Sequence, residues 1–472
     1  MHWSAWFGQA RLEAFPLASR WTFVMLAAGA LLLCAGALKH LRPRRRESHQ
    51  RGAIVLNRRE PLRRLRYCRW TDASLKLAGV PVSLQDETRH FKLMGTTGTG
   101  KSSAIRGLLR GALARGDRAI VTDPDAGYLH SFHDRLRGDV ILNPFEPDSV
   151  KWNLFAEIDT AYDVEQLARG LIASTEDASA REWRGYARTF LTAVIRWCQR
   201  AGRRDDAQLW RLLVMAGHEE LRAIVAGTPA QPFLEPENAR MFGSIRSVAA
   251  SAVAALEHVQ AQRAADFSVR SWVRDGEGTL FIPYRASQIA ALRSVIAAWM
   301  RLAIFEAMSH PQGDRRLWFV VDELDALGAI DGLKDALARL RKFGGRCVLG
   351  FQSIAQVSTT YGAGDAQTIV ENCANTLVLR CSGSEHGGTS RFASQLIGER
   401  EVLRRQVCRG RDRETLFAAR GWRRSMQVSE QRVIEAAVLP SELEQLPDLS
   451  GYLKTASSAA WQRVSIRPDD RG

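Results

Sequence analysis

Short apolar runs alternate with amphipathic stretches along most of the chain beyond residue 75. A short apolar run bounded by turn residues is typical of a buried strand, whereas apolar residues at three- and four-residue spacing indicate a helix. This alternation predicts an α/β fold in which a mostly parallel central sheet is covered by helices on both faces. Strands are predicted at residues 91–94, 118–122, 140–142, 279–283, 317–321, 346–351 and 376–380, and helices at 102–114, 290–308 and 332–342.

One central region lacks this alternation. Strand patterns are absent between residues 163 and 262, where 182–200 and 242–260 carry apolar residues at helical spacing. We therefore predict an all-α domain at 163–262, inserted between two strands of an α/β domain formed by 76–162 and 263–472. The segment after Thr415 has mixed polarity and carries no motif that we recognise.

The N-terminal region carries the pattern of a membrane anchor. Residues 21–38 contain no charge, and a helix of 18 residues spans about 27 Å, close to the ~30 Å core of a bilayer. The strong basic cluster, which begins at Lys39, follows this stretch, which favours an uncleaved anchor over a secretory signal peptide or a buried core helix. The positive-inside rule then makes 1–20 extracytoplasmic, 21–38 a transmembrane helix and 39–75 a basic cytoplasmic linker beside anionic headgroups. The bulk of the chain is thereby predicted to lie on the cytoplasmic side of the cell membrane.

Composition narrows the class of partner. The 66 lysines and arginines exceed the 51 acidic residues, which gives a formal net charge of +15. Such an excess favours a polyanionic partner, either nucleic acid or an anionic lipid surface, although an arginine-rich proteome produces the same balance. The seven cysteines form no CxxC pair and no zinc-ligand spacing, and their odd number argues for a reducing compartment.

A phosphate-binding pattern begins at Gly95. The stretch GTTGTGKS matches GxxxxGK[ST], and it lies between an apolar strand and a helix, as that motif requires. Glycines let backbone N–H groups turn toward phosphate oxygens, and the N-terminus of the following helix favours an anion. Lys101 is expected to bind the β and γ phosphates, and Ser102 to ligate Mg²⁺. The predicted ATP-binding residues are Gly95, Thr96, Thr97, Gly98, Thr99, Gly100, Lys101, Ser102 and Ser103.

Acidic and amide groups end three further strands. LWFVVDE at 317–323 is an apolar run followed by two acids, which is the Walker B pattern. Asp322 is expected to hold Mg²⁺ and Glu323 to act as general base, so the pair indicates hydrolysis rather than a slow nucleotide switch. Gln352 ends the strand in CVLGFQS, at the sheet edge where ligands bind in open α/β folds, and is a candidate sensor of the γ-phosphate. Asp123 ends the neighbouring strand; for both Gln352 and Asp123 an ordinary turn residue is the alternative.

Taken together, the motifs resemble one family. The segments HFKLMGTTGTGKS, GDRAIVTDPDAGY, VILNPFEPDSVKWNLF, LWFVVDEL and RKFGGRCVLGFQSIAQVSTTYG are similar, in that order, to TraD-type coupling proteins of type IV secretion and conjugation, the TraD/TraG/TrwB group. The resemblance covers residues 21–452 and includes the closing PSELEQLPDLSGYL. It implies a RecA-like, FtsK-related P-loop ATPase that forms a homohexamer at the inner membrane. There it would receive the relaxase–DNA complex of the relaxosome and drive single-stranded DNA into the type IV secretion channel, using ATP and Mg²⁺.

The resemblance also implies a residue that acts between subunits. Arg341, in LRKFGG after the Walker B segment, is similar to the arginine that reaches into a neighbour's site, and hydrolysis would then require oligomers. The residues alone leave open a solvated basic helix end instead. The family generally has two membrane helices, and this sequence shows the pattern of the second, which leaves a truncated or shortened start open. Some relatives carry a long acidic tail, which the sequence up to Gly472 does not show, so partner recognition by such a tail stays open. The implied site residues are Lys101, Glu323, Gln352 and Arg341 for catalysis and Ser102 and Asp322 for Mg²⁺.

Three functions remain open from the sequence. The leading hypothesis is an ATP-driven translocase of single-stranded DNA. An FtsK-like motor for duplex DNA would predict a C-terminal winged helix, which we do not find after Thr415. A membrane-bound recruitment platform, in which nucleotide only assembles the ring, would still support transfer after Glu323→Gln.

Overall fold

The computed structural model describes residues 47–56, 75–175, 177–310, 316–384, 388–413 and 422–467. Contacts divide the chain into two compact units, one of residues up to Gly52 with Arg400–Glu435, the other of Ala53–Glu399 with Ala436–Gly472. The predicted anchor at 21–38 lies outside the described residues. Within the described ranges, no helix combines the length and apolar character needed to cross a bilayer.

The strands follow one another along the chain with the helices between them. The strands are β1 Glu47–Gly52, β2 Ile54–Leu56, β3 Leu75–Leu77, β4 Val80–Val82, β5 Phe91–Met94, β6 Arg118–Pro124, β7 Val140–Ile141, β8 Lys151–Trp152, β9 Asp266–Phe267, β10 Thr279–Tyr284, β11 Leu317–Val321, β12 Gly345–Phe351, β13 Asn375–Val378, β14 Glu399–Arg413, β15 Trp422–Ala436, β16 Ser450–Lys454 and β17 Ala460–Ser465. The helices are α1 Leu84–Glu87, α2 Lys101–Ala114, α3 Gly127–Phe132, α4 Ala161–Leu171, α5 Ala178–Arg200, α6 Asp206–Val214, α7 His218–Val225, α8 Ala239–Ala252, α9 Leu256–Ala261, α10 Val269–Asp275, α11 Ile289–Ser309, α12 Leu333–Leu340, α13 Ile354–Tyr361, α14 Ala363–Asn372, α15 Gly388–Ile397 and α16 Pro440–Glu444.

The larger unit is built on a ten-stranded sheet. Its strand order is β2-β17-β16-β13-β5-β12-β11-β6-β10-β7. All pairings from β13 to β7 are parallel, whereas β16 runs antiparallel to both of its neighbours. The prediction of a mostly parallel sheet is therefore confirmed, with a mixed edge that the apolar pattern did not reveal. The parallel strands bring their carboxyl ends to one edge of the sheet, where all predicted site residues except Arg341 lie.

Both faces of the sheet are buried, as the continuous apolar runs predict. In β11, Trp318 and Val320 join the core beneath α2, while Leu317, Phe319 and Val321 join the core on the opposite face. That second core continues without a break into α4–α9. The helices predicted at 163–262 therefore share their hydrophobic core with the sheet, and their status as a separate domain stays a prediction.

The helical spacing at 242–260 belongs to two helices. α8 ends at Ala252 and α9 begins at Leu256. Val253 and Leu256 are both buried, so the apolar pattern continues through the turn between the two helices. Helical periodicity cannot separate two short helices when the turn that joins them is itself buried.

The smaller unit is a three-stranded sheet of order β1-β14-β15. β14 and β15 are each 15 residues long, and β1 pairs antiparallel with β14. Arg400 donates to Glu435 at 2.8 Å and Arg404 to the other oxygen of Glu435 at 2.6 Å. The sequence did not predict this sheet, and residues 47–56, assigned to a linker, form β1 and β2.

Candidate functional site

The phosphate loop joins β5 to α2. Gly100 has a φ of 109°, a left-handed conformation that favours glycine, and a Cβ there would lie 2.8 Å from Leu449. Lys101 folds back on the loop, where its Nζ donates to the carbonyl of Gly95 at 2.6 Å and to that of Thr96 at 3.2 Å. Burial lowers the pKa of Lys101, with Asp322 opposing that shift. The loop therefore presents a preorganised cation beside the helix N-terminus.

Asp322 lies across from the first turn of α2. Its Oδ2 accepts hydrogen bonds from the Ser102 hydroxyl at 2.6 Å and from the Tyr128 hydroxyl at 2.9 Å. Its Oδ1 is buried and has no hydrogen-bond partner in the described part of the chain. A buried carboxylate oxygen with unmet bonding capacity beside a serine hydroxyl is the kind of oxygen pair that Mg²⁺ prefers. Ser102 and Asp322, predicted separately, thus meet at one point.

A chain of polar side chains links the other predicted residues. Thr97 donates to Oε1 of Gln352 at 3.0 Å, and Nε2 of Gln352 donates to Oε1 of Glu323 at 3.0 Å. Burial raises the pKa of Glu323, while the hydrogen bond from Gln352 opposes the shift. A raised pKa strengthens a carboxylate as a proton acceptor. The amide of Gln352 thus connects the phosphate loop to the candidate base.

Asp123 organises the next strand end. Its two carboxylate oxygens accept the backbone N–H groups of Tyr128 at 3.0 Å and Leu129 at 2.6 Å, after a turn in which Asp125 and Ala126 both have φ of 57°. Burial raises its pKa to about 6, against those two hydrogen bonds. Left-handed backbone at two successive non-glycine residues is strained and is found where the surrounding structure enforces it. The turn begins α3 and places Tyr128 on Asp322.

The C-terminal segment closes over the phosphate loop. Leu449 donates its backbone N–H to the carbonyl of Thr99 at 3.0 Å, and Thr96 donates to the carbonyl of Arg380 at 2.8 Å. Arg380 in turn forms an ion pair with Asp448 at 2.6 Å. The loop is therefore fixed by segments that lie more than 280 residues later in the chain.

Arg341 lies at the opposite edge of the sheet. It begins the 3-10 helix Arg341–Phe343, which precedes β12, whereas Gln352 follows the same strand. A strand of seven residues is about 23 Å long, so Arg341 is not brought together with the other predicted residues of its own chain. Its side chain is exposed. The role predicted for Arg341 between subunits stays a prediction.

Sequence reasoning missed two contributors to this arrangement. Tyr128 is 1% exposed and donates to the candidate metal ligand, and Leu449 covers Gly100. Both residues belong to segments quoted for the family resemblance, GDRAIVTDPDAGY and PSELEQLPDLSGYL. Their presence in these segments was the sequence signal that could have identified them, because neither residue type carries chemistry on its own.

Comparisons with known proteins agree with this geometry. The family described as type IV secretion-system coupling protein DNA-binding domain matches residues 74–467. The chain is 29% identical over 410 residues to the coupling protein TraD of Escherichia coli strain K12, covering 85% of this chain and 55% of TraD. It thus spans about half the length of that curated relative.

Solved structures of the plasmid coupling protein TrwB share the fold. The complex of TrwB with the non-hydrolysable ATP analogue ADPNP superimposes with a TM-score of 0.77 at 31% identity, covering 89% of this chain and 94% of that one. The complex with ADP and Mg²⁺ gives a TM-score of 0.76 at the same identity and coverage. The resemblance drawn from the motifs is confirmed by these matches. The chain belongs to the coupling proteins of type IV secretion systems.

Proposed function

We propose that this chain is the ATPase that couples a relaxase–DNA complex to a type IV secretion channel and moves single-stranded DNA by ATP hydrolysis during conjugation. The proposal includes a homohexamer held at the inner membrane by the segment 21–38. Family membership and the net charge of +15 support DNA as the partner. The observation that carries the proposal is the joining of the phosphate loop, both Walker B acids and Gln352 at one edge of the sheet.

The residues fit Mg²⁺ and a nucleotide. Ser102 and Oδ1 of Asp322, which has no hydrogen-bond partner among the described residues, would hold the ion, which, when bound, offsets the negative charge of the β and γ phosphates. Lys101 has donors that can transfer from the loop carbonyls to phosphate oxygens. The related TrwB has been solved with ADPNP and with ADP and Mg²⁺, which supports the same ligands here.

The hydrolytic roles follow from charge and contacts. Glu323, ionised and partly buried, accepts a proton from the attacking water as general base. Gln352 holds the Glu323 carboxylate with one end of its amide and Thr97 of the phosphate loop with the other. Gln352 can therefore transmit a change in the conformation of the phosphate loop to the Glu323 carboxylate. Arg341, exposed and remote from its own site, would stabilise negative charge in the site of the adjacent subunit.

The test measures ATP hydrolysis by the full chain in detergent. We expect the rate to rise with single-stranded DNA more than with duplex, and the rate per subunit to rise with protein concentration as rings assemble. A rate per subunit that responds to neither DNA nor protein concentration would contradict the proposal. Stronger stimulation by duplex would favour an FtsK-like motor instead.

A second measurement separates a motor from a recruitment platform. DNA transfer between cells is scored with the wild-type chain or with Glu323→Gln as the sole copy. A motor loses transfer when hydrolysis is lost, whereas a platform that needs nucleotide only for assembly retains it.

A further inference from the structure

The two carboxylate oxygens of Asp322 have different surroundings. Oδ2 accepts the hydroxyl of Ser102 at 2.6 Å and the hydroxyl of Tyr128 at 2.9 Å. A carboxylate oxygen offers about two lone pairs, so these two donors occupy Oδ2. Oδ1 is buried and accepts no hydrogen bond from the residues that the structure describes. The capacity of Asp322 to bind an ion therefore lies at Oδ1, and Tyr128 is one of the two groups that hold the opposite oxygen.

The hydroxyl of Tyr128 is the part of this side chain that packing does not explain. The residue is 1% exposed and belongs to the core beneath α2, where the guanidinium carbon of Arg106 lies 5.4 Å from the centre of the ring. A phenylalanine ring would fill the same space. A buried hydroxyl costs free energy unless it is hydrogen-bonded, and this one donates to Asp322. The contact with Asp322 therefore distinguishes tyrosine from phenylalanine at this position.

The hydroxyl of Tyr128 is a fixed donor. Burial raises its pKa well above the ordinary value, and the charge of Asp322 raises the pKa further. The hydroxyl therefore keeps its proton and donates to the carboxylate. Since the ring that carries it is buried on all sides, the phenol oxygen has one position rather than several.

Strained backbone precedes Tyr128 and determines where its ring lies. Asp125 and Ala126 both have φ of 57°, and the backbone N–H of Tyr128 donates to the Asp123 carboxylate at 3.0 Å. Strain of this kind persists where surrounding contacts enforce it, and it is concentrated at functional sites. The result of the strain in this turn is that the Tyr128 hydroxyl meets Asp322.

Asp322 is also confined on the side of strand β12. A Cβ on Gly350 would lie 2.2 Å from the carbonyl oxygen of Asp322 and 3.1 Å from its Oδ1, so only glycine lets this strand pass so closely. Leu324 donates its backbone N–H to the carbonyl of Gly350 at 2.9 Å, which holds the two segments together. β11 lies between β12 and β6, and Tyr128 follows β6. Asp322 is therefore held from both flanks of its own strand.

From these contacts we infer that Tyr128 is the positioning residue of the Mg²⁺ site: its hydroxyl fixes the Asp322 carboxylate so that Oδ1 stays open for the ion. The inference rests on the proposed function, in which Ser102 and Asp322 hold Mg²⁺ beside a nucleotide. Loss of a hydrogen bond that orients a metal ligand commonly weakens metal binding about 10- to 100-fold. Binding of nucleotide without metal is expected to be independent of Tyr128, because the phosphate loop and Lys101 supply the donors for the phosphates.

The test compares Tyr128→Phe with Tyr361→Phe in the full chain in detergent. Tyr361 is a matched control, because its hydroxyl is also buried and hydrogen-bonded, accepting from the N–H of Ile330 at 3.3 Å and donating to the carbonyl of Gly328 at 3.4 Å. A fluorescent ADPNP analogue measures nucleotide binding in metal-free buffer. The electron paramagnetic resonance signal of free Mn²⁺ then measures metal binding, with the chain in excess over ADPNP.

The expected result is selective for the metal. Tyr128→Phe should bind Mn²⁺ about 10- to 100-fold more weakly than the wild type, with an unchanged affinity for metal-free nucleotide. Tyr361→Phe should match the wild type in both measurements. In a chain that already carries Asp322→Asn, Tyr128→Phe should cause no further loss of Mn²⁺ affinity, because the carboxylate that it orients is absent.

The magnesium dependence of ATP hydrolysis separates positioning from a general defect of the fold. In Tyr128→Phe the Mg²⁺ concentration for half-maximal hydrolysis should rise in proportion to the dissociation constant of Mn²⁺, and the rate should recover at saturating Mg²⁺. A damaged fold would lower the rate at every Mg²⁺ concentration, and that result would overturn the inference.

The remaining outcomes decide against the inference or against the metal site itself. Equal Mn²⁺ affinity in Tyr128→Phe and Tyr361→Phe would overturn the inference while leaving the proposed function intact, as would a further loss in the Asp322→Asn background. Failure of ADPNP and the wild-type chain to bind Mn²⁺ more tightly together than ADPNP does alone would overturn both. If Tyr128→Phe melts at a lower temperature than Tyr361→Phe, the two are compared where both are folded, and equal Mn²⁺ affinity there would overturn the inference.

Discussion

The two edges of the main sheet carry the same kinds of charged residue in different roles. At the amino edge, Glu87 accepts from Arg115 at 2.8 and 2.9 Å and from Arg346 at 2.9 Å. Asp117 accepts from Arg115 and from the indole of Trp318 at 2.9 Å. Both carboxylates are buried with partners on both oxygens, so this cluster joins α1, α2 and three strand starts into a fixed base.

At the carboxyl edge of the sheet, the charged groups beside the phosphate loop are incompletely paired. Within the part of the chain that the structure describes, Asp322 keeps one buried oxygen without a hydrogen-bond partner, and the Nζ of Lys101 donates to two carbonyls that a phosphate can replace. Buried polar groups are normally satisfied, so the unmet capacity of Asp322 beside the phosphate loop, set against the complete pairing of Glu87 and Asp117, distinguishes a site for ligands from a structural network. The number of charged residues alone would not distinguish these two edges of the sheet. Arg341 is the informative exception, because it is an exposed cation at the paired edge.

The largest expected effect comes from removing the candidate base. Glu323→Gln should lower ATP hydrolysis by about 10²- to 10⁴-fold, because the amide cannot accept the proton of the attacking water. Nucleotide binding, measured with a fluorescent ATP analogue, should remain. The variant Glu237→Gln, at an exposed position, should keep the wild-type rate. Hydrolysis by Glu323→Gln at the wild-type rate would remove Glu323 from the site.

Arg341→Ala should lower the rate on the order of 10³-fold if the arginine acts in a neighbour's site. Mixing this variant with Glu323→Gln should restore part of the activity. In such a ring, an intact Glu323 from one subunit can meet an intact Arg341 from the next. Absence of restoration in mixed rings, checked by copurification, would contradict action between subunits.

Glu87→Gln tests the amino edge, where the expected loss is of stability rather than of chemistry. Removing one partner from a buried pair leaves Arg115 and Arg346 undercompensated, at a cost of about 3–5 kcal/mol in the free energy of unfolding. Urea unfolding followed by tryptophan fluorescence measures it, with Glu237→Gln as the exposed control. The hydrolysis rate of the fraction that remains folded should match the wild type. A selective loss of rate without loss of stability would erase the distinction between the edges.

The smallest effect concerns Asp123 and pH. Its pKa in the fold is about 6 against an ordinary 3.8, so the fold favours the neutral form. The corresponding stabilisation is complete below about pH 4 and is lost as pH rises through about 6. Relative to Asp123→Asn, which does not titrate, the free energy of unfolding of the wild type should fall by about 2–3 kcal/mol between pH 4 and pH 7. If the free energy of unfolding of the wild type relative to Asp123→Asn stays constant across this range, the raised pKa of Asp123 is contradicted.

The local sequence pattern was sufficient to predict those elements whose motif residues are contiguous in the chain. The phosphate loop could be predicted because strand, glycine-rich turn and helix follow one another, and each is set by neighbouring residues. The Walker B strand could be predicted because a strand buried on both faces is apolar along its whole length. The long strands β14 and β15 were not predicted because their mixed polarity matches neither the period of a strand nor the period of a helix.

The sequence by itself therefore determined which residues are candidates for the chemistry: Lys101, Ser102, Asp322, Glu323 and Gln352 were named from residue type and local position. Only the tertiary structure decided how they meet. β12 enters the sheet between β5 and β11, so Gln352 reaches both Thr97 and Glu323, and the strained turn before α3 directs Tyr128 to Asp322. The physical reason is that strand order and side-chain direction depend on packing between segments more than 200 residues apart, which no local pattern of apolar and polar residues records.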